Sequence, residues 1–398
     1  MTDTKKIIRD EAKYILGTYL RPDFVLEKGQ GCYLFDTGGK RYLDLVSGIG
    51  VNALGYGDKR LGRVIAEQAG RLIHCSNLYH TGPDVRLARM LVKSSFADKV
   101  FFCNSGAEAV EGAMKLARKW ALKKFGPQKS AFVAFTGSFH GRTFGALALT
   151  DRKKYRMPFE PLVPGARFAE FGNLKDLERK IGPETCAVVV EPVQGEGGIH
   201  PSAKGFLADL KKLCRERDAL LIYDEVQCGL GRTGRLFAYE HFGVEPDILC
   251  LAKPLAGGLP MGAVLASDRV AECIDPGDHA TTFGGGLLVS AAAVEVLGRL
   301  KRPAFLKAVR HKGEYLLDGL NGLKTRFPDK VVEARGLGLM AGVELSFSAG
   351  TLLEKFFERG FLVCTAGERV VRVLPPLIIT KRQIDSFIRA FGDILVNC

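Results

Sequence analysis

The chain has 398 residues, 46% of them hydrophobic and 25% charged; this excludes a disordered or collagen-like chain and allows a core that needs no disulfides or structural metal. Lys and Arg number 57 against 44 Asp and Glu, a formal charge of +13. The charge is scattered in doublets such as Lys123-Lys124 and Lys211-Lys212 without interleaved aromatics, so we expect a solvated basic surface and no nucleic-acid partner.

No apolar stretch approaches the roughly 18 residues of a membrane span. The first ten residues are polar, without the apolar core of a secretory signal, so a cytoplasmic protein with no membrane partner is expected. Ten cysteines are dispersed with no C-x-x-C pair, which reads as reduced thiols, Cys186 and Cys250 being small core residues. No H-E-x-x-H occurs, and no metal is expected.

In chain order, the N-terminal stretch first offers a hairpin: Cys32 to Asp36 and Arg41 to Leu45 flank Thr37-Gly38-Gly39-Lys40. Apolar residues then recur at helical spacing over 58–73, 85–91, 107–122, 206–214 and 287–300. Between these helices lie the apolar runs 100–103, 132–135, 187–190, 220–223 and 248–251. Runs of about four, alternating with helices, describe parallel strands covered on both faces. Beyond Arg299, helical patterns lead to strand-like 331–333 and 338–345, a helix over 352–359, a strand at 370–374 and a last helix from Lys381. The expected organisation is therefore a large α/β domain over 58–299 and a small α+β domain over 300–398, with an N-terminal helix and hairpin, 1–57, packing on the small domain.

Three constellations carry chemistry. Asn104-Ser-Gly-Ala-Glu108 joins a strand to a long helix, and Ser105 and Glu108 have capping-box spacing. The same helix start could hold a phosphate on its free N–H groups and the Ser105 hydroxyl. Asp224 follows four apolar residues and so stands at the carboxyl end of a buried strand, the edge where open α/β sheets bind ligands. It is either a cap or an acid that needs a cationic partner, such as a protonated heterocyclic nitrogen. Lys253 leaves another apolar run into a Gly/Pro-rich loop, either solvated or poised as a Schiff-base nucleophile. A phosphate nest, a buried acid and a strand-end lysine on one parallel sheet are together what pyridoxal 5'-phosphate requires. Gly229-Leu-Gly231-Arg-Thr-Gly234 also fits the dinucleotide fingerprint, but no helix begins inside it, so it is discounted.

These residues resemble the class III, fold-type I pyridoxal-phosphate aminotransferases. The likeness runs from Ser47-Gly-Ile-Gly-Val-Asn-Ala-Leu54 through Ser138-Phe-His-Gly-Arg-Thr143, Glu191-Pro-Val-Gln-Gly-Glu-Gly-Gly198 and Thr281-Thr-Phe-Gly-Gly285 to Val371-Arg-Val-Leu-Pro-Pro-Leu377. It implies a seven-stranded, mostly parallel sheet flanked by helices, a small α+β domain, and a homodimer with active sites at its interface. Lys253 would carry the cofactor and move the reaction's proton. Asp224 would pair with the ring nitrogen and Gln227 approach the ring hydroxyl, with Val226 and Phe139 covering the two ring faces. Ser105, Gly106 and Ala107 would hold the phosphate, together with Thr282 of the neighbouring subunit, and Thr281 would lie near the substrate.

The resemblance further implies that Arg142 clamps the donor's α-carboxylate, a task suited to a guanidinium fork, and so selects a terminal amine. Arg372 would receive 2-oxoglutarate, and Glu196 would cover it until that acceptor arrives, while Glu191 supports the site. Gly48 stands where ornithine-specific relatives carry a tyrosine, which favours N2-acetyl-L-ornithine as donor. Ornithine, 4-aminobutyrate and N-succinyl-diaminopimelate remain alternatives; an aminomutase would not need the Arg372–Glu196 pair, and a basic nucleic-acid-binding protein is suggested only by the charge. Two departures from the family pattern bear on loop geometry: Pro254 replaces a glycine, and Gly286-Leu287 replaces Asn-Pro.

Overall fold

A computed structural model describes residues 4–398. Its centre is a seven-stranded sheet ordered Lys99–Cys103, Gly262–Ala266, Ile248–Leu251, Leu220–Asp224, Thr185–Val190, Ala131–Phe135, Ala166–Ala169. Only Gly262–Ala266 runs against its neighbours. Side chains alternate between two apolar clusters. Val133, Phe135, Leu221, Tyr223, Leu249 and Leu251 enter one, whereas Phe132, Ala134, Leu220, Ile222, Ile248 and Cys250 enter the other. Both faces are dry, which is why these strands read as unbroken apolar runs.

All five expected strands form, and so do the five expected helices. The helix expected over 58–73 is shorter, Lys59–Ala69, because Gly70 ends it. The one expected over 287–300 forms as Leu287–Leu300. Two sheet members escaped the sequence reading. Ala166–Ala169 is a four-residue edge strand with one buried residue, and Gly262–Ala266 emerges directly from the Gly/Pro-rich loop after Lys253. Cys186 and Cys250 are fully buried, as expected of core thiols. Among the described residues, no helix is long and apolar enough to cross a membrane.

The N-terminal strands Leu26–Gln30, Tyr33–Asp36 and Arg41–Asp44 form a meander, and Phe361–Leu362 adds to it in parallel beside Arg41–Asp44. A second sheet, Val331–Leu337, Met340–Leu345, Val370–Val373 and Cys364–Ala366, is antiparallel throughout. The helices Pro303–Arg326 and Lys381–Val396 pack beside each other there.

One buried cation ties these parts together. Arg232, 1% exposed, donates to Leu339 O at 3.1 Å, to Pro375 O at 2.5 Å and to Ser47 Oγ at 3.3 Å. Ser47 Oγ in turn donates to Leu374 O at 2.6 Å, and Asp44 accepts the N–H groups of Val46 and Ser47. Arg232 sits in the discounted glycine-rich stretch, whose turns are followed by no α-helix. Replacing Arg232 by Met leaves two buried carbonyls short of a donor. Urea unfolding is expected to lose about 3 kcal/mol at unchanged slope; an unmoved midpoint would mean the carbonyls find other partners.

Candidate active site

At the carboxyl edge of the central sheet lies a cavity of about 420 Å³ whose wall includes Lys253, Asp224, Phe139 and Arg142. Lys253 and Asp224 leave adjacent parallel strands, Ile248–Leu251 and Leu220–Asp224. The chain turns sharply on leaving: Lys253 has φ +36°, unusual for a residue with a Cβ. Burial pulls its amine below the ordinary lysine range, although Asp224 and Glu196 push the other way.

Asp224 is 4% exposed. One carboxylate oxygen accepts Val226 N–H at 3.0 Å, and the other lies 2.8 Å from His140 Nδ1. Burial alone would discharge the imidazole, but the hydrogen bond and charge of Asp224 outweigh it and raise His140 above its usual value. Behind this pair is Glu191, whose carboxyl burial pushes up to about 7. It accepts the N–H groups of Phe139 and Gly195, each at 3.2 Å.

The helix Gly106–Phe125 starts on the cavity wall. Ser105 caps it by accepting Glu108 N–H at 3.1 Å. The reciprocal arm of the expected capping box lands elsewhere: Glu108 accepts the backbone and side-chain N–H groups of Asn104 at 2.9 and 2.8 Å. The N–H groups of Gly106 and Ala107 thus have no acceptor among the described residues. A Cβ on Gly106 would stand 2.7 Å from Val226 Cγ1, so only glycine lets the helix start pack this close to Val226. Free amides at a helix start, a strand-end carboxylate and a depressed lysine in one cavity fit pyridoxal phosphate, the anion on the amides and the ring nitrogen near the acid.

Arg372 is 2% exposed and makes an ion pair with Glu196. Its guanidinium also reaches Cys364 Sγ at 3.4 Å and Gln227 Oε1 at 3.5 Å. Although burial raises carboxyl values, Arg372 holds Glu196 below its ordinary range. By contrast, Arg142 has no hydrogen bond or ion pair among the described residues. Its guanidinium lies 3.4 Å from the Tyr155 ring centroid and 5.5 Å from that of Phe139.

Five expected site residues are not part of this cavity's wall: Glu196 and Arg372, which pair with each other beside Gln227 of the wall, and Thr281, Thr282 and Gly48. Thr281 and Thr282 line a different one, of about 710 Å³, and the Thr281 hydroxyl accepts from Asn104 Nδ2 at 3.2 Å. Gly48 is also off the wall, to which its turn contributes Val51. Ser47, Gly48, Ile49 and Gly50 all have positive φ, at 48°, 66°, 61° and 86°. The glycine at 48 therefore serves a left-handed turn, a constraint that a reading of pocket space leaves out. His140, Tyr155 and Cys364 were missed. His140 stands inside a quoted motif and could have been found there; Tyr155 and Cys364 approach their arginines only through the fold. No cluster of three or more potential metal ligands occurs among the described residues.

A family model described as aminotransferase class-III matches residues 18–395. The mitochondrial acetylornithine aminotransferase of Alnus glutinosa is 48% identical over 99% of this chain and 88% of its own length. The acetylornithine aminotransferase of Methanocaldococcus jannaschii is 45% identical over 97% of both chains. Among solved structures, the ornithine aminotransferase of Toxoplasma gondii superposes with a TM-score of 0.95 at 31% identity, over 100% of this chain and 96% of the other. The N-acetylornithine aminotransferase of Stenotrophomonas maltophilia gives 0.85 at 37% identity, over 98% of each.

The His140–Asp224 pair makes a pH-dependent stability. With His140 raised in the folded chain, the stabilisation is full below the unfolded value near 6.5 and is lost as pH rises through the folded value. In Asp224→Asn the carboxylate's hydrogen bond and charge are lost, burial is opposed only by the charge of Glu191, and His140 falls. Proton NMR of the imidazole in cofactor-free protein should show the drop, and the stability gap between wild type and variant should narrow as pH rises from the unfolded value through the folded one. An unmoved imidazole titration would disprove the pairing.

Proposed function

We propose that this chain, which belongs to the class-III aminotransferase family, moves the terminal amino group of N2-acetyl-L-ornithine to 2-oxoglutarate, giving N-acetyl-L-glutamate 5-semialdehyde and L-glutamate. It is a pyridoxal-phosphate enzyme. Bound, that cofactor supplies an aldehyde that takes up amines and a cationic ring that withdraws electrons from the carbon next to nitrogen. The observation that carries the reading is the contrast between two arginines beside one lysine: Arg142 open to an anion, Arg372 covered by Glu196.

In this reading Asp224 would pair with the ring nitrogen and keep it protonated, Phe139 and Val226 would cover the ring, and Gln227 would meet its hydroxyl. Ser105, Gly106 and Ala107 bind the phosphate. Arg142 takes the donor's α-carboxylate at the mouth of the cavity, which leaves the terminal amine to point inward. Lys253 Nζ, which burial pulls below the ordinary lysine range, removes the proton from the amine-bearing carbon. Glu196 keeps Arg372 from gripping the donor and releases it to the α-carboxylate of 2-oxoglutarate, so one lysine serves two substrates in turn. Glu191, through the amides of Phe139 and Gly195, supports both the ring wall and the turn bearing Glu196.

Thr282 is proposed to reach the phosphate of a neighbouring subunit in a homodimer, with Thr281 close to the substrate there; their place on a cavity other than that of Lys253 within one chain supports this. Exposed Leu78, Tyr79 and Phe283 nearby supply apolar surface for such an interface. The N-terminal meander and the part after Arg299 are proposed to form one small domain, supported by the pairing of Phe361–Leu362 with Arg41–Asp44. All ten cysteines are free, which supports a reducing compartment such as the cytoplasm.

The competing donor is free ornithine, favoured by the likeness to the Toxoplasma gondii enzyme. Mixing the yellow holoenzyme with each amine and following loss of its visible band should give a faster half-reaction with N2-acetyl-L-ornithine; the reverse order would overturn the assignment. Borohydride reduction should fix the cofactor on Lys253. In Glu196→Ala the uncovered Arg372 should shift preference from terminal amines toward α-amino acids by about tenfold or more, and unchanged donor and 2-oxoglutarate kinetics would refute the gating.

A further inference from the structure

Arg142 is an exposed arginine that pairs with no acid, although the fold brings an acid to its neighbour Thr143. Glu111 is the nearby candidate, but one of its oxygens accepts Thr143 Oγ1 at 2.5 Å and the N–H groups of Gly145 and Ala146 at 2.8 and 3.0 Å. That carboxylate is spent on starting the short helix Phe144–Ala148. What Arg142 has instead is a ring: its guanidinium carbon stands 3.4 Å from the centroid of Tyr155. Tyr155 is held by its own short helix, Lys153–Arg156. Just before that helix, Arg152 donates to Glu196 O at 2.5 Å, and Asp151 accepts Gly137 N–H at 3.0 Å. Tyr155 itself is half-buried and is not part of the cavity wall.

A guanidinium stacked on an aromatic face keeps its N–H edges free, and those edges are what a carboxylate meets with two parallel hydrogen bonds. Left alone, an arginine at a cavity mouth loses much side-chain freedom when it grips an anion. Stacking removes that loss in advance, so it strengthens binding without touching the reacting carbon. Stacking also contributes no competing carboxylate, unlike the pairing that covers Arg372.

We propose that Tyr155 is a positioning residue for the donor: by stacking on Arg142 it presents that guanidinium edge-on to the donor's α-carboxylate and so helps select amines that carry one. The proposal deepens the reading of Arg142 given above and rests on it.

The test compares donors that differ only in that carboxylate. Tyr155→Leu and Tyr155→Phe holoenzymes are mixed with N2-acetyl-L-ornithine and with its decarboxylated counterpart, N-acetyl-1,4-diaminobutane, and the half-reactions are followed at varied donor concentration. Affinity is measured separately by calorimetry with N2-acetyl-L-norvaline, which has the carboxylate but no terminal amine to react. Tyr155→Leu is expected to weaken the affinity for the norvaline derivative and raise the half-saturating concentration of the ornithine derivative by about fivefold, the size of an exposed cation–aromatic contact. Its maximal rate and its reaction with the carboxylate-free amine should stay within twofold of wild type. Tyr155→Phe, which keeps the ring, should match wild type throughout. Equal losses on both donors, a Phe variant as impaired as the Leu variant, or an unchanged affinity for the norvaline derivative would each overturn the proposal. A wild-type preference for free ornithine would sink the donor assignment alone, and Tyr155 would then be judged by the same criterion on ornithine against 1,4-diaminobutane.

Discussion

A lysine amine and a carboxylate share one small cavity, and the proposed chemistry needs the first as a base and the second as an anion. Burial works for the first and against the second: it lowers lysine and raises acids. Adjacent parallel strands bring both groups to the same edge, and the protein separates their fates with neighbours. Asp224 receives an amide N–H and a raised imidazole, whereas Lys253 receives burial and a sharply turned backbone. Behind them Glu191 accepts two amides that anchor the ring wall and the gate. The remainder of the site is arranged around this contrast.

The two arginines extend it to the substrates. Arg372 is buried and would be costly without its acid, so Glu196 is needed for stability as well as for selection. Its further contacts, Cys364 Sγ and Gln227 Oε1, are uncharged. In the proposed gating, a Glu196 that swings away would leave the cation short of an anion, and an incoming carboxylate would replace the lost partner. Arg142 is exposed and needs no such cover. A ring suffices to hold it, and its guanidinium makes no hydrogen bond or ion pair among the described residues. Burial thus decides which arginine needs an acid beside it and which does not.

Much of this was legible in the chain because the physics involved is local or periodic. Apolar runs such as Leu220 to Tyr223 must be strands covered on both faces, and the acid that ends one must lie at the sheet's ligand edge. The Ser105–Glu108 spacing marks a helix start even though Glu108 turns to Asn104 instead of closing the box. Strands escaped where their pattern is short or follows a loop, as at Ala166–Ala169 and Gly262–Ala266. Contacts made through the fold were beyond reach: thirteen positions separate Arg142 from Tyr155, and only the placement of a four-residue helix brings them face to face. At Gly48 a backbone angle adds a constraint that a reading of the space it leaves does not contain.

That angle belongs to a wider pattern of strain at the cavity. Ser47, Ile49 and Lys253 have positive φ without being glycine, each costing on the order of 1–3 kcal/mol. An isolated turn would relax. Here it is pinned from both sides, by Asp44 on the amides of Val46 and Ser47 and by Arg232 and Leu374 on the Ser47 hydroxyl. The pinned turn brings Gly50 against the lysine, where an added Cβ would be 3.9 Å from Lys253 Cδ and 4.0 Å from Gln227 Cγ. Leu374, two residues beyond Arg372, is part of the same clamp. The buried Arg232 therefore joins the wall beside Lys253 to the strand that carries Arg372. A shift of the Val370–Val373 strand would be felt at both ends.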